Sequence, residues 1–211
     1  VKKGALMKFY QTVIILLICV ILLILLGPHL RAAGFVGDSS PGTIKIIHQR
    51  KSVRKYESKA VSRDILVELV KAGMAAPTAA DKRPWDFTVV TDKTKLKELS
   101  TYQPYAKMVE TAAAAIIVSG VPSKGLEGVA NDFWVQDCSA ATQNILLAAE
   151  ALGLGAVWTG AWPLQDRAVK VRQILGMSDQ FIPLNVIAVG YPTGIEKPKV
   201  KFDASAMHFV E

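Results

Sequence analysis

Four short polar stretches in this 211-residue chain carry groups able to hold a small charged ligand. In Arg50-Lys-Ser-Val-Arg54, three fixed cations and a hydroxyl fall within five residues. Arg and Lys neutralise a phosphate dianion, and Arg adds a two-pronged donor geometry. Taken alone, the pentapeptide reads equally as a solvated basic face. In Ala76-Pro-Thr-Ala-Ala-Asp-Lys-Arg-Pro-Trp-Asp-Phe87, small residues sit between two prolines. Small residues let a backbone approach a flat ring; the plain alternative is an ordinary loop with Trp85 in the core. The glycines of Gly153-Leu-Gly-Ala-Val-Trp-Thr-Gly160 either admit a ligand against the main chain or stop a helix. In Lys197-Pro-Lys-Val-Lys201, Lys199 and Lys201 point the same way if the backbone is extended. They then return to a phosphate, or they form a soluble tail.

Composition narrows the ligand. The formal charge is +7, from 25 Lys and Arg against 18 Asp and Glu. Setting aside Lys2, Lys3, Lys8, Arg31 and Asp38 leaves 21 cations against 17 anions, an excess of four. That is too mild to argue for nucleic acid and suits a phosphate-bearing small molecule. Two cysteines, Cys19 and Cys138, make neither a disulfide framework nor a zinc spacing. His29, His48 and His208 stand at no metal-ligand spacing, so no metal is expected.

The elements that position these stretches follow from periodicity. Residues 12–26 are an uncharged apolar run preceded by Lys2, Lys3 and Lys8, the layout of a secretory signal peptide or signal anchor. A bilayer span needs roughly 20 apolar residues, which Phe9, Tyr10, Gln11 and Gly27 bring within reach. The charge bias places the N-terminus in the cytoplasm and the rest outside. The expected organisation is a signal peptide or membrane anchor over 1–34, a linker over 35–42 and one domain over 43–211.

In that domain Thr43 is expected to cap a short helix carrying Ile44, Ile46 and Ile47. Ser62 caps a second, with Ile65, Leu66, Leu69 and Val70 at helical spacing. Strands are expected over 87–91, 114–119, 156–159 and 185–191. The longest helical pattern, over 131–152, carries Phe133, Cys138, Ala141, Ile145 and Ala149 and stops at Gly153 and Gly155. A further helix over 165–175 closes at Gly176. Helices and strands mix without regular βαβ alternation, which favours the α+β class.

The order and separation of the four stretches resemble the nitroreductase family. An Arg-x-Ser-x-Arg comes first, then an Ala-Pro-Thr loop leading to Pro-Trp and a strand. A long Ala-rich helix follows, ending Leu-Gly-Leu-Gly, and then Val-Gly-Tyr-Pro and Lys-x-Lys. The resemblance runs from about Ile44 to Lys201. It implies a central mixed or antiparallel sheet flanked by helices. It implies an FMN-dependent oxidoreductase passing reducing equivalents from NAD(P)H to an organic acceptor, such as a nitroaromatic or quinone, in ping-pong order. It also implies a homodimer with FMN at the subunit interface, the long helix packing on its mate through Ser139, Ala140, Ala141, Ala148 and Ala149.

Carried over residue by residue, Arg50, Lys51, Ser52 and Arg54 match the motif that holds the FMN phosphate and ribityl chain. Thr78 and Asp81 match the loop beside the flavin, Thr159 and Gly160 match backbone groups near the isoalloxazine, and Lys199 and Lys201 match C-terminal phosphate contacts. Family members commonly carry Asn and then Ser-Gln before the Pro-Trp, where this chain has Asp81-Lys82-Arg83. A carboxylate donates no hydrogen bond to a flavin carbonyl, so Asp81 is expected to pair with Lys82 or Arg83. No side chain is assigned as catalytic, because the flavin carries the redox chemistry. Phe133, Trp134 and Tyr102 either gate the substrate side or pack in the core. Two rivals stand beside this reading. One is a membrane-associated flavin-binding protein with another donor or no nicotinamide turnover. The other is a deiodinase-like member, whose Glu, Tyr and Lys lid set is not found over 119–132. An exported domain would meet little NAD(P)H or FMN, which sets the topology reading against the donor reading.

Overall fold

Strand β2 (Ala114–Gly120) is buried along its whole length, and so is nearly all of β4 (Ile182–Gly190). Sequences as continuously apolar as Ala114-Ala-Ile-Ile-Val118 and Val186-Ile-Ala-Val189 suit strands covered on both faces. They form the centre of a four-stranded sheet, with β1 (Trp85–Val90) on one edge and β3 (Gly155–Gly160) on the other, in the order β1-β2-β4-β3. Every pairing between these four strands is antiparallel. This is a computed structural model, and it describes residues 42–211; the apolar run, its export reading and most of the linker lie outside them. The chain divides into units Val1–Lys45 and Ile46–Glu211, and the sheet belongs to the second.

Among the described residues five α-helices accompany the strands: α1 (Gly42–Gln49), α2 (Arg63–Met74), α3 (Lys93–Leu99), α4 (Phe133–Ala151) and α5 (Gln165–Leu175). The period-two alternation of the central strands sorts the core into two layers. Ile116, Val118, Ile187 and Val189 pack with Leu66 and Leu69 of α2 and Ile145 and Ala149 of α4. Ala115, Ile117, Val186 and Ala188 pack with Leu96 and Leu99 of α3 and Val171 of α5.

Local signals account for most boundaries. The Ser62 hydroxyl accepts from the Ile65 N–H at 3.4 Å and starts α2. Gly176, at φ 62°, ends α5 in the left-handed region that glycine adopts without strain. Helix α1 begins at Gly42, so Thr43 lies in its first turn rather than at its cap. Helix α4 begins at Phe133, with a 3-10 segment (Gly128–Asp132) before it. Strand β4 starts earlier than expected, at Ile182, because Pro183 is accommodated where the register shifts between Val118 and Ser119. Helix α3 was not foreseen. Its signals are Asp92, which accepts from the Lys95 N–H at 2.8 Å, and the buried pair Leu96 and Leu99. Among the described residues no helix is long and apolar enough to cross a membrane.

Candidate functional site

After α1 the chain runs beside the edge strand β3. Ser52 forms an isolated parallel bridge with Ala156, and the Val53 N–H donates to the Ala156 carbonyl at 3.0 Å. Val53 is 1% exposed, and Gly155 makes room for it: a Cβ there would meet the Val53 side chain at 2.6–2.8 Å. The glycine that reads as a helix stop is therefore also the seat of the basic segment.

The charges of this segment have different fates. Lys51 Nζ lies 2.8 and 3.1 Å from the two carboxylate oxygens of Glu150, near the end of α4. The main-chain N–H groups of Arg54 and Lys55 donate to Glu196 Oε1 at 2.8 and 3.2 Å. Burial opposes ionisation of Glu196, but the main-chain N–H groups of Arg54, Glu196 itself and Lys55, with the Lys55 charge, together hold the carboxyl below its usual range. The Arg54 guanidinium is exposed and donates to the Ser52 carbonyl at 3.4 Å. Arg50 instead lines an open cleft of about 530 Å3 with Ile47, His48, Lys199, Val200 and Lys201. The structure thus brings Arg50, Lys199 and Lys201 together from the two ends of the domain, while Lys51 is spent on Glu150.

The second stretch forms a tight turn. Thr78 precedes a one-turn 3-10 helix (Ala79–Asp81), and Ala80, Asp81 and Arg83 all have φ between 50° and 53°. A non-glycine residue in this region costs about 1–3 kcal/mol, sustained only where surroundings over-determine it. Here the Ala79 N–H donates to Asp137 Oδ1 of α4 at 2.9 Å, and the Arg83 N–H donates to Thr78 Oγ1 at 3.1 Å. The Arg83 guanidinium grips Asp81 with two prongs, Nε at 2.8 Å and Nη2 at 2.6 Å. Asp81 therefore pairs with Arg83 and not Lys82, and that hydrogen bonding holds its carboxyl below the usual range.

Thr159 and Gly160 close β3. The Tyr102 hydroxyl lies 2.8 Å from both the carbonyl and the hydroxyl oxygen of Thr159, and the Thr159 hydroxyl donates to the Val186 carbonyl at 2.6 Å. Gln103 Nε2 donates to the Tyr102 hydroxyl at 2.7 Å, and Arg167 donates to Gln103 Oε1 at 2.7 Å. The Thr159 side chain is committed inside the fold, and burial pushes the Tyr102 phenol up to about 12. Tyr102 and Trp134 are core residues; Trp134 packs over Gly120 and against Trp162, with ring centroids 5.5 Å apart. Phe133, 41% exposed, is the aromatic of the three that reaches the surface.

Three carboxylates that organise these segments escaped the sequence reading: Asp137, Glu150 and Glu196. The partners of Lys51 and of the Arg54 N–H are 99 and 142 residues away, so no local spacing marks them. Asp137 leaves a faint signal, a charged residue between Trp134, Cys138 and Ala141 on the buried side of α4.

The sequence profile of the nitroreductase family matches residues 47–124 and 101–191. A Methanothermobacter thermautotrophicus protein named "Putative NADH dehydrogenase/NAD(P)H nitroreductase" is 42% identical over 170 residues, covering 81% of this chain and 87% of its own. A solved structure of the same name from Bacteroides thetaiotaomicron superposes with a TM-score of 0.76 at 44% identity, over 81% of this chain and 98% of that one. A Desulfovibrio desulfuricans protein solved in complex with FMN superposes with a TM-score of 0.72 at 27% identity, over 82% of this chain and 99% of that one.

Proposed function

Because the chain belongs to the nitroreductase family of oxidoreductases, we propose that it binds FMN and carries reducing equivalents from NAD(P)H to an organic acceptor, a nitroaromatic or quinone, in ping-pong order. The observation that carries the reading is the cleft in which Arg50 meets Lys199 and Lys201. Three cations on one open cleft form a donor set suited to a phosphate dianion. The isoalloxazine, when bound, supplies hydride and electron transfer, which protein side chains do not provide.

The chain's own residues bind and orient. Arg50, Lys199 and Lys201 take the phosphate, and Ser52 and the exposed Arg54, which follow Arg50 in the chain, are assigned to the phosphate and ribityl chain. Lys51 acts one step back, through its pair with Glu150. The turn bearing Thr78 and Asp81 flanks the ring, with Asp81 held by Arg83, and Thr159 and Gly160 offer main-chain groups rather than side chains.

A homodimer fits the spacing of these groups. Glu150, which holds Lys51, and Asp137, which holds the turn, lie at opposite ends of α4, roughly 20 Å apart at 1.5 Å rise per residue. That separation favours a flavin shared between the cations of one protomer and the turn of its partner. Val200, Phe202, Phe209 and Val210 are each more than three-quarters exposed, apolar surface that a second protomer would cover. The 1–34 segment is proposed to anchor or export the chain, with the domain on the extracytoplasmic side.

The test is an absorption spectrum of the purified protein, with and without NADH or NADPH, under anaerobic conditions. Flavin bands that bleach with nicotinamide are expected. Bands that stay would keep the FMN site and move the reading to another donor. No flavin uptake after FMN is added would overturn the proposal.

A further inference from the structure

The buried face of α4 is apolar except at Thr142, whose hydroxyl is satisfied by the Cys138 carbonyl and the Asn185 amide, and at one acidic position. Asp137 lies in its second turn, flanked by the inward-facing Trp134, Cys138 and Ala141, and is 6% exposed. No salt bridge among the described residues involves it. Asp is a poor helix former, and a buried carboxylate is costly unless hydrogen-bonded. Neither helix formation nor packing of α4 asks for a charge there. Its effect reaches Cys138, whose thiol burial pushes up to about 12, with the Asp137 charge adding to the shift.

What Asp137 touches is the Ala79 N–H, at 2.9 Å. Ala79 opens the turn in which Ala80, Asp81 and Arg83 take left-handed backbone conformations. The other hydrogen bonds found for residues 78–83 close the turn on itself: Asp81 N–H to the Thr78 carbonyl, Lys82 N–H to the Ala79 carbonyl, Arg83 N–H to Thr78 Oγ1, and the Asp81–Arg83 fork. Those bonds fix the shape of the turn and not its place. Among the described residues, the bond to Asp137 is the hydrogen bond that ties it to another element.

We propose that Asp137 is a positioning residue of the flavin site: by accepting from the Ala79 N–H it holds the Thr78–Arg83 turn at the distance from the cofactor ring that nicotinamide and acceptor require. This rests on the reading of that turn as flavin-flanking. The role belongs to the carboxylate oxygen as an acceptor and not to its charge, so an amide in the same place serves.

The test compares Asp137→Ala with Asp137→Asn by two measurements. In the FMN-free protein, amide exchange at Ala79 is expected to speed up at least tenfold in Asp137→Ala, while amides of β2 and β4 keep their rates. Asp137→Asn, which keeps an acceptor, is expected within about threefold of the unaltered protein. In the FMN-loaded protein, KM for nicotinamide is expected to rise about tenfold in Asp137→Ala, with FMN affinity and kcat changed less than threefold. Asp137→Asn should restore KM. Should Asp137→Ala fail to fold, Asp137→Ser, too short to reach Ala79, is read the same way. Unchanged exchange at Ala79, an unchanged KM, or an Asn variant as impaired as the Ala variant would each overturn the role of Asp137. If the unaltered protein takes up no FMN, the site reading fails and this inference falls with it.

Discussion

The two segments that border the proposed flavin site are secured in opposite ways. Residues 50–54 lie along β3, joined by a main-chain hydrogen bond and by Val53 seated over Gly155. Residues 78–83 form a turn in which Ala80, Asp81 and Arg83 are left-handed, held by side chains as well as main-chain bonds: Thr78 and the Asp81–Arg83 pair within, and Asp137 of α4. The first is fixed by packing and a main-chain bond, with Lys51 on Glu150 and the Arg54 and Lys55 N–H groups on Glu196 added, and none of its residues takes a left-handed backbone. The second stores strain and depends on individual polar contacts. A phosphate needs charges in a stable place, while a ring edge facing changing substrates needs a shaped turn. The two constructions match those needs.

The contrast can be broken most forcefully at the phosphate end. Arg50→Ala is expected to cost about 1.5–3 kcal/mol of FMN binding, roughly tenfold to a hundredfold in Kd. Lys51→Ala should change Kd by less than about threefold, since its charge is already engaged by Glu150. Equal losses in a flavin titration would mean that the sorting of these two cations is wrong. Next in size, Gly155→Ala is expected to destabilise the fold by about 1–3 kcal/mol, because the new methyl overlaps Val53. An unchanged urea midpoint would show that the segment is not seated as described. The smallest effect is expected at the turn, with the opposite sign. Ala80→Gly relieves a left-handed alanine at φ 50° and should stabilise by about 0.5–1 kcal/mol, after the entropy cost of glycine. A loss of stability on thermal unfolding would argue that this backbone is not strained.

The fold was legible where its signals are local. The continuous apolar runs of β2 and β4, the Ser62 cap and the Gly176 stop were all visible, because each acts on neighbours within a few residues. Helix α3 was not, since seven residues carrying three lysines hide the Leu96 and Leu99 spacing. In the candidate site, the Asp81–Arg83 pair was within reach of sequence reasoning because its partners are two residues apart. The commitment of the Thr159 hydroxyl to Val186, its neighbour only across the sheet, was not.

The sequence by itself determined which residue types were available: a run of cations at 50–54, a second at 197–201 and a proline-bounded turn between helix and strand, in the order that identifies the family. Only the tertiary structure decided which of those charges are free. Lys51 and Arg50 are adjacent and alike in the chain, yet one meets Glu150 and the other faces the cleft with Lys199 and Lys201. The physical reason is range. Periodicity and capping are set by contacts two to four residues apart, which a sequence displays directly. A charge's partner is whichever opposite group the packed helices bring within a few ångströms, and any of 18 acidic residues could have supplied it.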